Sequence, residues 1–189
     1  MFYSFVKMLC KIILGLLFGI KTAGRENVIE GGIILAANHK SNWDALAIAG
    51  TCPRQLAFMG KKELFKFKPF SFILKKIGAF PVNRGKGDIG AVKTALTILK
   101  QEKAMIMFPE GTRMKDGRRG EAKPGVGMLA THAKVPVVPV KIDAQYKLFK
   151  KVTVTYGEPI YLDEYYGEKL TVEKMQELSE SIMDKVFAL

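Results

Sequence analysis

His39 and Asp44 stand five residues apart in Asn38-His39-Lys40-Ser41-Asn42-Trp43-Asp44, directly after the apolar run Ile33 to Ala37. An imidazole that donates one ring N–H to a carboxylate keeps its other nitrogen free to take a proton from a hydroxyl. That is the chemistry of a general base acting on an alcohol supplied by a substrate. On one helix, five steps of about 100° would turn the two side chains away from each other. They meet if 33–37 is a short buried strand, His39 lies in the loop leaving it, and Asp44 falls in the first turn of the next helix, with Asn42 as its N-cap. The alternative is a loop histidine that merely bonds its neighbours. A metallohydrolase would need a third ligand, and the second histidine, His132, falls on a helix away from every polar block.

Other polar blocks close other strands. Ala104 to Phe108 reads as a strand and breaks into Pro109-Glu110-Gly111-Thr112-Arg113. That turn sets a carboxylate, a hydroxyl and a guanidinium at the carboxyl edge, where open α/β sheets bind ligands. Gly78 to Arg84 is a further strand candidate ending in an arginine, and Lys123 precedes a helix that starts near Pro124. Residues 85–90 match G-x-G-x-x-G, but the acidic residue about 20 positions on, Glu110, sits inside a Pro-Glu-Gly turn. The glycines are better read as a loop carrying Arg84 toward a phosphate than as a dinucleotide fingerprint.

The elements that must hold these blocks alternate between strand and helix. Leu56 to Met59 reads as a strand, and 89–99 as a helix with Ile89, Val92, Leu96 and Leu99 on one face. Val135 to Val140 reads as an edge or bulged strand, since its prolines cannot donate to a ladder. Lys151 to Tyr156 alternates like a half-exposed strand, and a helix from Thr171 closes the chain. The pattern predicts an α/β domain over residues 25–189, with a mixed, mostly parallel sheet flanked by helices.

The 189 residues carry 30 Lys plus Arg against 18 Asp plus Glu, a net charge of +12, which points to an anionic partner. The two cysteines, Cys10 and Cys52, have neither metal spacing nor a disulfide framework. Residues 1–24 are mostly apolar but interrupted by Lys7 and Lys11, and the longest uninterrupted run, Ile12 to Ile20, is too short to span a bilayer. They read as an amphipathic helix lying in a membrane interface. Residues 61–76 interleave Lys61, Lys62, Lys66 and Lys68 with Phe65 and Phe67. Such a run could stack the bases of a single-stranded nucleic acid or dip aromatic rings into lipid while ammoniums meet phosphates. Beside an amphipathic N-terminus, an anionic membrane is the expected partner and nucleic acid is not.

Together the blocks resemble the glycerolipid acyltransferase family, whose members have H-x-x-x-x-D, a G-x-F-x-x-x-R-like strand, F-P-E-G-T-R and a V-P-V-V-P-V-like strand. The matching residues are His39 to Asp44, Gly78 to Arg84, Phe108 to Arg113 and Val135 to Val140, in the family's order. The closest resemblance is to bacterial 1-acylglycerol-3-phosphate acyltransferases. It implies transfer of an acyl group from acyl-CoA or acyl carrier protein to the free hydroxyl of a lysophospholipid, with no cofactor and no metal. His39 would be the base and Asp44 its orienter. Arg84, Arg113 and Lys123 would hold the acceptor's phosphate, while Glu110, with Gly111 and Thr112, would position its glycerol. An activated thioester needs no covalent nucleophile, and the chain has no G-x-S-x-G elbow. The expected location is the cytoplasmic face of the cell membrane, peripheral or monotopic. Within the same chemistry, glycerol 3-phosphate or another lysolipid could be the acceptor. Outside it stands a non-catalytic basic protein on anionic membrane or nucleic acid.

Overall fold

Ile33, Ile34, Leu35, Ala36 and Ala37 are all fully buried, which a strand achieves when both faces are covered and both edges paired. The computed structural model describes residues 2–83, 87–114 and 118–189. Its main elements are α1 (Phe2–Leu17), β1 (Ile20–Ala23), β2 (Ile33–Ala37), α2 (Trp43–Thr51), β3 (Leu56–Lys61), α3 (Lys68–Lys76) and β4 (Ala79–Val82). There follow α4 (Ile89–Lys100), β5 (Ala104–Met107), α5 (Gly125–Ala133), β6 (Val137–Asp143), β7 (Val152–Tyr156) and α6 (Val172–Ala188). The strands form one sheet in the order β1-β7-β6-β2-β5-β3-β4, antiparallel between β6 and β7 and parallel elsewhere.

Alternation along β2 divides the core in two. Ile33, Leu35 and Ala37 face α1 and α2 through Leu14, Phe18, Ala47 and Ile48. Ile34 and Ala36 face α4, α5 and α6 through Ala95, Leu99, Leu129 and Ile182. Truncating a central residue such as Leu35 to alanine would cost about 2–5 kcal/mol in lost burial and cavity. Where α5 crosses α6, a Cβ on Gly127 would lie 2.3 Å from the Met175 carbonyl oxygen, so only glycine permits that approach.

The mixed, mostly parallel α/β sheet agrees with the sequence. The strand with prolines does not lie at an edge: β6 pairs with β2 on one side and β7 on the other. Its Pro139 opposes Gly157, just beyond the end of β7, and its carbonyl accepts the Gly157 N–H at 2.8 Å. The donor that proline lacks would have faced the Gly157 carbonyl, so the missing bond falls at the rung just beyond the end of β7.

Residues 1–24 contribute α1 and the edge strand β1, and Leu14 and Phe18 enter the core. The outer face of α1 is apolar, with Phe2, Phe5, Met8, Leu9, Ile12, Ile13 and Leu16 all exposed at helical spacing. Lys7 departs from the expected reach toward headgroups. Its ammonium donates to the carbonyls of Cys52 and Pro53 at the end of α2. Phe65 also turns inward, its ring packing on Gly60 so closely that a Cβ there would lie 2.9 Å from it. Phe67, Phe70, Phe72 and Ile73 around α3 stay exposed, and the Lys76 ammonium lies 5.5 Å from the Phe2 ring, bringing α3 beside α1.

Candidate active site

Three neighbouring parallel strands, β6, β2 and β5, deliver their carboxyl ends to one place. Beyond β2 the buried Asn38 amide donates to the Ile142 carbonyl at 3.0 Å and accepts the Ile142 N–H at 2.7 Å. A side chain thereby continues the pairing with β6 after the main chain has left the sheet, and the direction in which His39 departs is fixed.

His39 is 7% exposed. Its Nδ1 lies 2.9 Å from Asp44 Oδ2, and among the described residues Nε2 has no partner. The imidazole stacks on the Phe108 ring with centroids 3.8 Å apart and planes at 15°. Asp44 is fully buried in the first turn of α2 and reaches back over the loop, its Oδ2 also accepting the N–H groups of Lys40 (2.6 Å) and Ser41 (2.7 Å). Asn42 occupies the N-cap position but makes no capping bond; the Ser41 hydroxyl accepts the Trp43 N–H at 3.3 Å. The Asp44 carboxylate instead ties the loop before α2 back to the helix through the Lys40 and Ser41 N–H groups.

The second oxygen of Asp44 is held from afar. Tyr146, in the loop between β6 and β7, donates its hydroxyl to Oδ1 at 2.6 Å. Burial pushes the Asp44 carboxyl up, but the bonds from His39, Ser41, Tyr146 and Lys40 outweigh it and hold the group below its ordinary value. Burial and the adjoining Asp44 charge push the Tyr146 phenol far up, so it stays a donor. Nothing local in the sequence singles out Tyr146. Only the return of β6 alongside β2 brings it to the dyad.

Glu110 is 3% exposed, and both its oxygens are taken: Oε2 by the His39 N–H (2.9 Å) and Oε1 by the Gly120 N–H (3.0 Å). The expected reach toward a glycerol hydroxyl gives way to a brace behind His39. The next loop is anchored in turn, because Arg119 pairs with Glu180 (2.6 Å) and with Asp184 on α6. Gly111 is required for its backbone, with φ at +68°, and not for close approach, since a Cβ there would lie an ordinary 3.6 Å from Lys123.

The cations sit on the rim. Arg113 donates to Asn42 Oδ1 at 2.9 Å, and the Met114 N–H donates to the His39 carbonyl at 2.8 Å, so the turn after β5 is tied to the loop after β2. Lys123, beside Gly111, is held by its N–H to the Pro109 carbonyl (2.8 Å), and its ammonium lies 3.3 Å from Glu121. Thr112 is exposed on the same turn. Arg84, with Gly85 and Lys86 of the glycine run, lies outside the described residues; the preceding strand β4 forms the far edge of the sheet. Asp88 caps α4 by accepting the Ala91 N–H at 3.0 Å and reaches back to the Asn83 N–H at 2.8 Å. His132 is exposed on α5 and bonds the Met128 carbonyl, away from the dyad.

The arrangement can therefore accept a proton at Nε2, stabilise the imidazolium through Asp44, and present cations to an anionic substrate. Among the described residues no cysteine or serine is hydrogen-bonded to His39, and no three His, Cys, Asp or Glu side chains converge as a metal site.

A family model described as acyltransferase matches residues 19–143. A 1-acyl-sn-glycerol-3-phosphate acyltransferase of Bacillus subtilis is 30% identical over 97% of this chain and 94% of its own length. One of Streptococcus pneumoniae is 31% identical over 85% of this chain, which spans 63% of that relative. The crystal structure of the 1-acyl-sn-glycerophosphate (LPA) acyltransferase PlsC from Thermotoga maritima superposes with a TM-score of 0.75 at 25% identity, covering 99% of this chain and 80% of that one.

Proposed function

We propose, from the premise that this chain belongs to the acyltransferase family, that it acylates the free hydroxyl of 1-acylglycerol 3-phosphate to give phosphatidic acid for phospholipid synthesis. The observation that carries the reading is the 2.9 Å contact between His39 Nδ1 and Asp44 Oδ2, with Nε2 left for a substrate beside Arg113. The relatives' names supply the acceptor class.

In this reading Nε2 takes the proton from the lipid hydroxyl as its oxygen attacks the carbonyl carbon of an acyl thioester. The carbon–oxygen bond forms and the carbonyl π electrons move onto oxygen. Collapse of that oxyanion breaks the carbon–sulfur bond, and the imidazolium returns its proton to the departing thiolate. Asp44, kept ionised by its four donors, stabilises the imidazolium between the two transfers. Glu110 sets the main chain of His39, while Arg84, Arg113 and Lys123 receive the phosphate, guanidinium being suited to paired oxygens. Thr112 lies on the same rim.

The donor is acyl-CoA or acyl carrier protein, and the enzyme works on the cytoplasmic face of the cell membrane, bound from one side. What supports this is the exposed apolar face of α1, the exposed Phe67, Phe70 and Phe72 around the neighbouring α3, and the exposed lysines Lys11, Lys62, Lys66 and Lys68 on the same segments. No helix among the described residues is long and apolar enough to cross a membrane.

The deciding experiment is a thiol-release assay with acyl-CoA and acyl carrier protein donors across a panel of acceptors. Release with lysophosphatidic acid well above that with glycerol 3-phosphate or uncharged lysolipids is expected. Faster release with glycerol 3-phosphate would replace the acceptor, and no release with any acceptor would end the reading.

A further inference from the structure

Between β6 and β7 one short segment faces two ways. Tyr146 turns inward to Asp44 and packs edge-on against Phe18, with centroids 5.5 Å apart. Two and three residues on, Leu148 and Phe149 are 63% and 84% exposed, flanked by Lys147, Lys150 and Lys151. We propose that this loop is a lipid-contacting element in its own right, inserting Leu148 and Phe149 among the acyl chains of an anionic bilayer while the three lysines meet lipid phosphates.

Loop tips are ordinarily small and polar, because apolar side chains there stay in water. Two adjacent large apolar residues at a tip call for a partner that removes them from water. The lysines select an anionic one. Position makes that partner a bilayer. The Phe149 N–H donates to the Leu17 carbonyl at 2.8 Å, next to Leu16, which is 73% exposed at the same end of α1. The Val152 N–H likewise donates to the Gly19 carbonyl at 2.9 Å. The tip therefore prolongs the apolar outer face of α1. Positive φ angles at Tyr146 (47°) and Phe149 (60°), unusual for bulky residues, turn the chain so that one ring points in and the other out.

The inference rests on the reading that α1 and α3 lie against the membrane, and it adds a consequence. Phe149 lies three positions after Tyr146, at most about 11 Å of chain, so lipid contact at the tip sets the height of the His39–Asp44 dyad above the bilayer. An acceptor hydroxyl held in the headgroup layer would then meet Nε2 without leaving the membrane.

The test uses the full chain carrying Phe149→Trp, with the signal of native Trp43 subtracted through the wild type. On adding vesicles of phosphatidylcholine and phosphatidylglycerol with brominated acyl chains, emission from the introduced indole should shift to the blue and be quenched. The double variant Leu148→Ser/Phe149→Ser, checked for folding by circular dichroism, should partition at least about tenfold less onto unbrominated vesicles of that composition. Co-sedimentation with no change in the introduced indole's emission would overturn the loop contact and leave α1 and α3 as the membrane face. Absence of co-sedimentation would overturn both. A response of that indole to acyl carrier protein and not to vesicles would reassign the loop to the donor. None of these readouts depends on turnover, so an acceptor or donor assigned wrongly would show in the thiol-release assay alone.

Discussion

The Tyr146 hydroxyl donates to Asp44 Oδ1 at 2.6 Å across 102 positions of sequence, on the side of the carboxylate opposite His39. The dyad is thus a triad in its hydrogen bonding, and Asp44, itself fully buried, has both oxygens engaged. A carboxylate so held can neither rotate nor leave the imidazole.

Tyr146→Phe removes that donor and little else. Hydrogen bonds to charged groups contribute about 1.5–3 kcal/mol, and the lost bond favours the neutral acid. The Asp44 titration midpoint, followed by carboxyl carbon NMR, should rise above the wild-type value, and kcat should fall about tenfold with the acceptor KM little changed. An unmoved midpoint would show that the phenol does not hold the carboxylate in solution.

His39→Ala should lower kcat by about 10²-fold or more while the acceptor still binds, since a positioned base contributes to the transition state and not to ground-state affinity. Steady-state thiol release measures both constants. Turnover close to wild type would remove the proposed base.

Asp44 also ties stability to pH. Its carboxyl is held below the ordinary 3.8, so the stabilisation is complete above that pH and disappears as pH falls through the lower, folded value. Asp44→Asn should be less stable than wild type by about 2–3 kcal/mol at pH 7, through unmatched buried donors. Urea unfolding should show the gap narrowing below pH 3.8; a constant gap down to pH 2 would contradict the depressed titration.

Glu110→Gln turns one acceptor into a donor facing a backbone N–H. A buried N–H left unpaired costs about 1–3 kcal/mol, which in a chain of this size lowers Tm by roughly 3–10 °C. Calorimetry should find that drop together with a lower kcat. A rise in acceptor KM with Tm unchanged would instead return Glu110 to contact with the glycerol.

Arg113→Ala should raise KM for lysophosphatidic acid about tenfold or more and leave kcat within a few-fold, because the guanidinium on the rim binds phosphate without touching the reacting atoms. Titration against an acceptor lacking the phosphate gives the control. Equal losses with both acceptors would take Arg113 out of phosphate recognition.

What the sequence determined by itself was whatever a few consecutive residues can encode. A five-residue apolar run bounded by Gly31-Gly32 and Asn38 is too short for a helix and reads as a buried strand, and β2 begins and ends where that run does. The five-residue spacing of His39 and Asp44 required a strand–loop–helix passage, and that passage alone lets them meet. The blocks at 108–113 and 123 were legible as strand-end loops for the same reason. Tertiary structure decided the rest, because it turned on which distant strands become neighbours. Placing β6 beside β2 brought Tyr146 to Asp44 and Asn38 to Ile142, and made a proline-bearing strand central. Laying α1 along α2 drew Lys7 away from the surface. Placing β5 on the other side of β2 turned Glu110 from an expected substrate contact into the support of His39. Hydrophobic periodicity fixes which face of an element is buried, but hydrogen bonds between remote loops leave no pattern in the residues that make them.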